Sequence, residues 1–190
     1  MGNMMTKLGG VGWILLLVAP IISIIGTLAF ASSLGDISLE QLKAPSGTLL
    51  YLILVNWTLM GIGLLFVGFG GWGLKSISGH PMPLIAGIFG LVTGILYLVS
   101  MVLLLAGVTA GLTIAGLNGW IIAGVFFILI GVSLVLAPIR EKTGAPSLTL
   151  AAGILAIIQG AMHLSLLGLL IAPFFLIPVA ILNLIAFFKA

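Results

Sequence analysis

The sequence contains no cysteine and very little charge. Without cysteine, the chain cannot form disulfides, thiolate metal sites, iron–sulfur clusters or cysteine nucleophiles. Charged residues make up 5% of the 190 residues, whereas soluble domains carry about 25%. Six basic and three acidic residues also fall short of the clustered lysine and arginine of a nucleic-acid surface. We therefore expect neither cysteine chemistry nor a nucleic-acid partner.

The short motifs of catalysis and metal binding are missing as well. The sequence holds no cluster of metal-ligand residues, no glycine-rich phosphate loop followed by lysine and serine or threonine, and no serine, histidine and aspartate set. No apolar stretch carries the row of acidic residues of a cation pump or the regularly spaced arginines of a voltage sensor. These absences predict that the chain is not an enzyme, or at most a non-catalytic subunit of a membrane enzyme complex. No resident cofactor is expected.

Apolar residues dominate what is present. They make up 62% of the chain, and the mean hydropathy is +1.47. A helix of about 20 apolar residues crosses a bilayer, and six stretches approach or exceed that length. The pattern predicts an all-α polytopic membrane protein, a single transmembrane domain over 1–190 with lipid as a partner and no soluble domain. The six predicted spans lie near 10–33, 49–74, 83–108, 118–138, 147–170 and 173–189.

The basic residues predict the orientation of these helices. With six spans, five of the six basic residues fall on one side, whereas Asp36, Glu40 and Lys43 fall on the other. Because cytoplasmic loops carry the excess of lysine and arginine, both termini are predicted to be cytoplasmic. The predicted location of the protein is the cell membrane. The first span is longer than a signal-peptide core, so we interpret it as an uncleaved helix. The five residues that set the orientation are Lys7, Lys75, Arg140, Lys142 and Lys189.

An internal repeat divides the chain into hairpins. Residues 74–81 resemble residues 139–146, and the helices that follow share the pattern Ala-Gly-Ile at 86–88 and at 152–154. The repeat predicts three helical hairpins, each beginning and ending in the cytoplasm. Such repeats are parallel, so the inverted-repeat layout of many transporters is not expected.

Small residues recur every four positions on the third and fifth predicted helices. Positions four apart share one helix face, and a face without bulky side chains lets two helices approach closely in a membrane. Two interpretations remain open: packing between helices of this chain, or a surface that receives another subunit. The residues of these helix-packing faces are Ala86, Gly90, Gly94, Ala152, Ala156 and Gly160.

A few polar residues lie inside the predicted spans. His163 is an ionisable side chain placed well inside a span, and Gln159 lies one helical turn before it. The repeat places Thr93 and Tyr97 at the matching positions of the third helix, and Asn56 lies within the second. If the third and fifth helices meet, Tyr97 could bond to His163 and Thr93 to Gln159. These five residues form the candidate intramembrane polar site.

Three interpretations of His163 follow. It could be a neutral histidine that fixes helix register, a residue of a small polar or proton-handling site, or a haem ligand. Because His80 is predicted in a loop, one chain would not supply two axial histidines, so a haem would have to be shared with another subunit. Outside the membrane, Asp36 and Glu40 lie one turn apart, but two exposed carboxylates make only a weak cation site.

The three-hairpin plan and its glycine-rich units, such as residues 86–90 and 124–131, resemble small six-helix membrane proteins of the HdeD acid-resistance type. They also resemble related archaeal membrane proteins of unknown function. The resemblance covers the whole chain in plan. It implies a membrane-embedded protein with a stress or accessory role, and it carries no catalytic motif.

Three functions are compatible with these observations. The leading hypothesis is a non-catalytic structural or accessory subunit of a larger membrane complex, packed against other membrane subunits or copies of itself. The alternative is a small channel or transporter for a neutral or weakly polar solute, with the five polar residues along the path. The third is an electron-transfer subunit that shares a haem through His163.

Overall fold

The computed structural model describes residues 2–34, 47–165 and 171–190, and within these ranges it contains helices and no strand. Six of the described helices are long and apolar enough to cross a membrane. The expectation of an all-α fold with six apolar helices is therefore confirmed, and the fold is that of a multi-pass membrane protein. The helices are α1 (Gly2–Leu34), α2 (Gly47–Ser78), α3 (Met82–Leu105), α4 (Ala110–Val135), α5 (Pro146–Leu164) and α6 (Ala172–Lys189).

Proline and glycine define several helix ends. Pro83 and Pro173 occupy the first turns of α3 and α6, where a missing N–H removes no helical hydrogen bond. Gly79 follows α2 with a φ of 73°, and Gly144 has a φ of 65° at the matching position before α5. Glycine adopts this left-handed conformation without steric cost. The two turns therefore repeat in backbone as well as in sequence.

Helix α4 is longer than the predicted span 118–138. It begins at Ala110, contains a π-helical turn at Asn118–Ile122 and ends at Val135. Gly111 makes the preceding segment resemble a loop in sequence, but a Cβ on it would lie 2.5 Å from the carbonyl oxygen of Ser100 in α3. Packing against α3 thus stabilises the helix at Gly111 and outweighs the low helix propensity of glycine. A helical turn at Ala137–Arg140 and a 3₁₀ turn at Glu141–Thr143 follow.

The six helices form a closed ring. Each helix packs against the next along the chain, and α6 returns to pack against α1. Neighbouring helices run antiparallel, as the contact of Gly9 with Gly70 and that of Gly26 with Leu52 show for α1 and α2. Both described chain ends therefore lie at one end of the ring, which we call the terminal end, and the opposite end is the far end. The basic residues near the terminal end are Lys7, Lys75, Arg140, Lys142 and Lys189.

Glycine pairs hold two of the helix contacts at backbone distance. A Cβ on Gly68 of α2 would lie 2.8 Å from the carbonyl oxygen of Gly87 in α3. In the matching contact, a Cβ on Gly131 of α4 would lie 2.6 Å from the carbonyl oxygen of Gly153 in α5. No larger residue fits these positions without separating the helices. The α2–α3 and α4–α5 contacts are therefore copies of one packing arrangement.

The small-residue faces of α3 and α5 are covered within the chain. Gly94 packs on Gly61 of α2, and Gly160 packs on Gly124 of α4. The other members of the two faces are buried as well, so neither face is free to receive another subunit. These other members are Ala86, Gly90, Ala152 and Ala156.

Aromatic side chains fill the ring in its terminal half. The indole ring of Trp13 lies 6.2 Å from the ring of Phe127 and 6.4 Å from that of Phe187, measured between centroids. Phe126 contacts Phe127 at 5.2 Å. All four side chains are fully buried. We call these four residues the aromatic cluster; they connect α1, α4 and α6 across the centre of the ring.

The glycine contacts generate a stability prediction. Gly131→Ala should lower the free energy of unfolding by about 1–3 kcal/mol, because the new methyl group meets the backbone of α5. The matched control is Gly116→Ala, also in α4, where a Cβ would have no described neighbour within 4 Å. That control should leave the free energy of unfolding unchanged or raise it by up to about 1 kcal/mol, because alanine is the better helix former. Thermal unfolding in detergent compares them, and equal losses in both variants would contradict the packing argument.

Candidate functional site

A cavity of about 200 Å³ lies inside the ring, between α1, α2, α3, α5 and α6. It occupies the half towards the far end, because its lining comes from the last turns of α5 and the first turns of α6. Its floor borders the aromatic cluster, since the ring of His163 stacks on that of Phe127 at 5.3 Å with an angle of 11° between the planes. The lining residues are Pro20, Ser23, Asn56, Met60, Tyr97, Gln159, His163, Ala172, Pro173 and Leu176.

Four of the five predicted polar residues meet at this cavity. Asn56 comes from α2, Tyr97 from α3, and Gln159 and His163 from α5. Thr93 does not reach the cavity: its hydroxyl donates to the carbonyl oxygen of Phe89 in its own helix, at 2.7 Å. Three helices thus each contribute polar side chains to a single space.

The structure does not form the hydrogen bonds expected between α3 and α5. Helix α4 packs against both of them, so the bonds expected from Tyr97 to His163 and from Thr93 to Gln159 are absent among the described residues. Instead, Gln159 and His163 bond to each other within α5, with 2.9 Å between the two Nε2 atoms. The spacing of four residues, which puts both side chains on one face, is enough to explain this contact.

The contacts of Gln159 fix the hydrogen positions of the pair. Its Nε2 atom donates to the carbonyl oxygen of Ala172, at 3.0 Å, because a carbonyl can only accept. The same nitrogen faces Nε2 of His163 and has only hydrogens to offer, so that imidazole nitrogen accepts. A neutral His163 therefore carries its proton on Nδ1. The bond to Ala172 also ties the end of α5 to the start of α6.

Two polar atoms of this pair have no hydrogen-bond partner among the described residues. One is Oε1 of Gln159, whose side chain is fully buried, and the other is Nδ1 of His163. The backbone of Gly119 lies near the imidazole without reaching hydrogen-bonding geometry with Nδ1. A buried polar atom without a partner is unfavourable unless water or a ligand reaches it. The cavity is the space from which such a partner can come.

The π-helical turn of α4 lies directly beside this site, and sequence reasoning missed it. Asn118 donates from Nδ2 to the carbonyl oxygen of Thr93 in α3, at 2.9 Å. Trp120 donates from Nε1 to the carbonyl oxygen of Leu164 in α5, at 3.3 Å. Between them, a Cβ on Gly119 would lie 2.7 Å from the hydroxyl of Tyr97. The turn therefore joins α3, which carries Tyr97, to α5, which carries Gln159 and His163, and π turns occur often at functional sites.

Charge and metal ligands are missing from this part of the described chain. No lysine, arginine, aspartate or glutamate lines the cavity, and the described residues hold no group of three or more potential metal ligands. His80 lies at the terminal end, where its Nδ1 accepts from the backbone N–H of Met82, so one chain does not bring both histidines together. Asp36 and Glu40, considered for a weak cation site, lie outside the described residues.

Loss of the Gln159 side chain should destabilise the fold. Gln159→Met keeps the approximate volume but leaves the carbonyl oxygen of Ala172 without its donor, so we expect a loss of about 1–2 kcal/mol. The matched control is Thr93→Val, whose hydroxyl bonds only within its own helix and should cost less than about 1 kcal/mol. Thermal unfolding in detergent measures both changes. A larger loss in the control would contradict the assigned contacts.

Comparison with known proteins gives no relative from which a role could be read. No family model, no curated protein and no solved structure matches the chain. The resemblance to the HdeD type therefore stays an expectation, and the site has to be interpreted from its own geometry.

Proposed function

We propose that the chain binds a small, uncharged polar solute inside the helical ring and carries it across the membrane. One observation supports the proposal above others: Asn56, Tyr97, Gln159 and His163 line one cavity. Two polar atoms of the Gln159–His163 pair have no partner in the described part of the chain. A mostly apolar cavity with a few convergent polar groups is the usual form of a ligand site. This choice develops the transporter hypothesis of the sequence.

Size and charge narrow the class of solute. The cavity of about 200 Å³ is smaller than pockets for drug-sized ligands, which begin near 300 Å³. It is somewhat larger than an engineered cavity of about 150 Å³ that holds benzene. Because none of the described residues that line the cavity is charged, an ion would be buried among them without a counter-charge at high cost. The fitting solute is neutral and has only a few non-hydrogen atoms.

The transport cycle requires movement at the aromatic cluster. Towards the terminal end, Trp13, Phe127 and Phe187 are fully buried and block a continuous path through the ring. A solute held in the cavity would therefore leave towards the terminal end only after these rings separate. The π-helical turn of α4, which begins at Asn118, and the internal prolines Pro20 and Pro178 are the places where helices bend most readily.

The proposal includes an orientation. Five basic residues lie near the terminal end of the described helices, which by the positive-inside rule makes this end cytoplasmic. The cavity then lies in the outer half of the cell membrane. Lipid surrounds the ring, whose outward faces carry exposed isoleucine, valine and leucine side chains.

Flux through reconstituted vesicles tests this function. Vesicles containing the protein should take up acetamide, urea or glycerol faster than empty vesicles, with saturation. His163→Leu should reduce the saturable flux about tenfold or more, because it removes both imidazole nitrogens from the site. The control Thr93→Val, outside the cavity, should match the wild type. Equal flux in vesicles with and without protein, for all three solutes, would reject the transport proposal.

The native mass separates transport from the accessory-subunit hypothesis. Because the small-residue faces are covered inside the chain, we expect a monomer or homo-oligomer when the protein is extracted from its own membrane in mild detergent. Size-exclusion chromatography with light scattering and subunit analysis gives the answer. Stoichiometric foreign subunits would instead favour the accessory role. A Soret band in the purified protein would favour the shared-haem hypothesis.

A further inference from the structure

We infer that Gln159 selects the solute by requiring a hydrogen-bond donor, so that the ligands of this cavity are small neutral amides and alcohols. This inference rests on the proposed function and specifies its solute. It concerns one atom, Oε1 of Gln159, and the contacts that leave this atom free.

The amide of Gln159 is held in one orientation. The carbonyl oxygen of Ala172 accepts from Nε2 at 3.0 Å, and Nε2 of His163 lies 2.9 Å from the same nitrogen. A flipped amide would place two acceptor oxygens against each other at Ala172. Both hydrogens of Nε2 are therefore used within the protein, and Oε1 is an acceptor without a partner among the described residues, in a fully buried side chain.

An unpaired, buried oxygen discriminates between solutes. A ligand with an N–H or O–H group can donate to Oε1, whereas a methylated analogue excludes water from the site and leaves the oxygen unpaired. The energetic cost of such an unpaired acceptor corresponds to a difference of about tenfold or more in dissociation constant. Selection of this kind works by rejecting the wrong solute.

The remainder of the lining supplies the complementary donors. Tyr97 carries a hydroxyl and Asn56 carries an amide, and both side chains line the cavity. A solute that donates to Gln159 can therefore accept through a neighbouring oxygen. Carboxamides and alcohols combine both groups within a few atoms, which fits a cavity of about 200 Å³.

Binding to the purified protein tests the inference without transport. Acetamide, N-methylacetamide and N,N-dimethylacetamide form a series that loses its N–H groups one at a time, and ethylene glycol with 1,2-dimethoxyethane forms the matching alcohol pair. The concentration dependence of thermal stabilisation in detergent gives apparent dissociation constants. We expect the first two amides and the glycol to bind, and the two molecules without donors to bind about tenfold more weakly or worse.

Variants assign the selectivity to the residue. The ratio of the dissociation constant of a ligand without donors to that of its donor analogue measures the selectivity. In Gln159→Met this ratio should approach one, and in Thr93→Val it should equal the wild-type ratio. The wild-type series remains decisive even if Gln159→Met does not fold. Equal constants across a series, or no saturable binding by any donor, would overturn the inference. Selective binding without flux would instead reject transport and leave the inference standing.

Discussion

The close approach of helix backbones at paired glycines is the constraint on which the rest of the structure depends. Lipid tails are as apolar as leucine, so helices in a membrane gain little from burying apolar side chains against each other. Contacts such as Gly68 with Gly87 and Gly131 with Gly153 supply the dispersion energy that remains available. They produce two matching tight pairs, α2 with α3 and α4 with α5. The aromatic cluster then fills the space that these pairs leave in the terminal half of the ring.

The sequence was sufficient for features that depend on neighbouring positions along the chain. Apolar length predicted the six helices, the repeat predicted equivalent turns at Gly79 and Gly144, and the spacing of four predicted that Gln159 and His163 share a face. Each of these follows from the geometry of a single helix or turn. The repeat also led to the choice of Tyr97, which lines the same cavity as Asn56, Gln159 and His163.

The sequence alone could not predict the features that depend on which helices pack against each other. A small-residue face on α3 fits one on α5 as well as one on α2, so periodicity could not show that α4 packs between α3 and α5. The π-helical turn had the same origin, since the bond of Asn118 to the carbonyl oxygen of Thr93 depends on that packing. For the same reason the hydroxyl of Thr93, predicted to join the polar site, bonds within its own helix. Ser23 was missed although it lines the cavity.

The unpaired Oε1 atom of Gln159 bears on whether His163 is structural or functional. A histidine that only fixed helix register would need a single strong partner, and the remaining polar atoms nearby would be paired or replaced by apolar groups, which is often the more stable arrangement. Here the pair places both hydrogens of Gln159 in protein contacts, and the oxygen of this cavity-lining residue has no partner among the described residues. A residue of similar volume without the amide would avoid the cost of that oxygen, but it would leave the carbonyl oxygen of Ala172 without its donor. The unpaired oxygen of Gln159 is understandable if water or a solute donates a hydrogen bond to it, which favours a functional role for the Gln159–His163 pair.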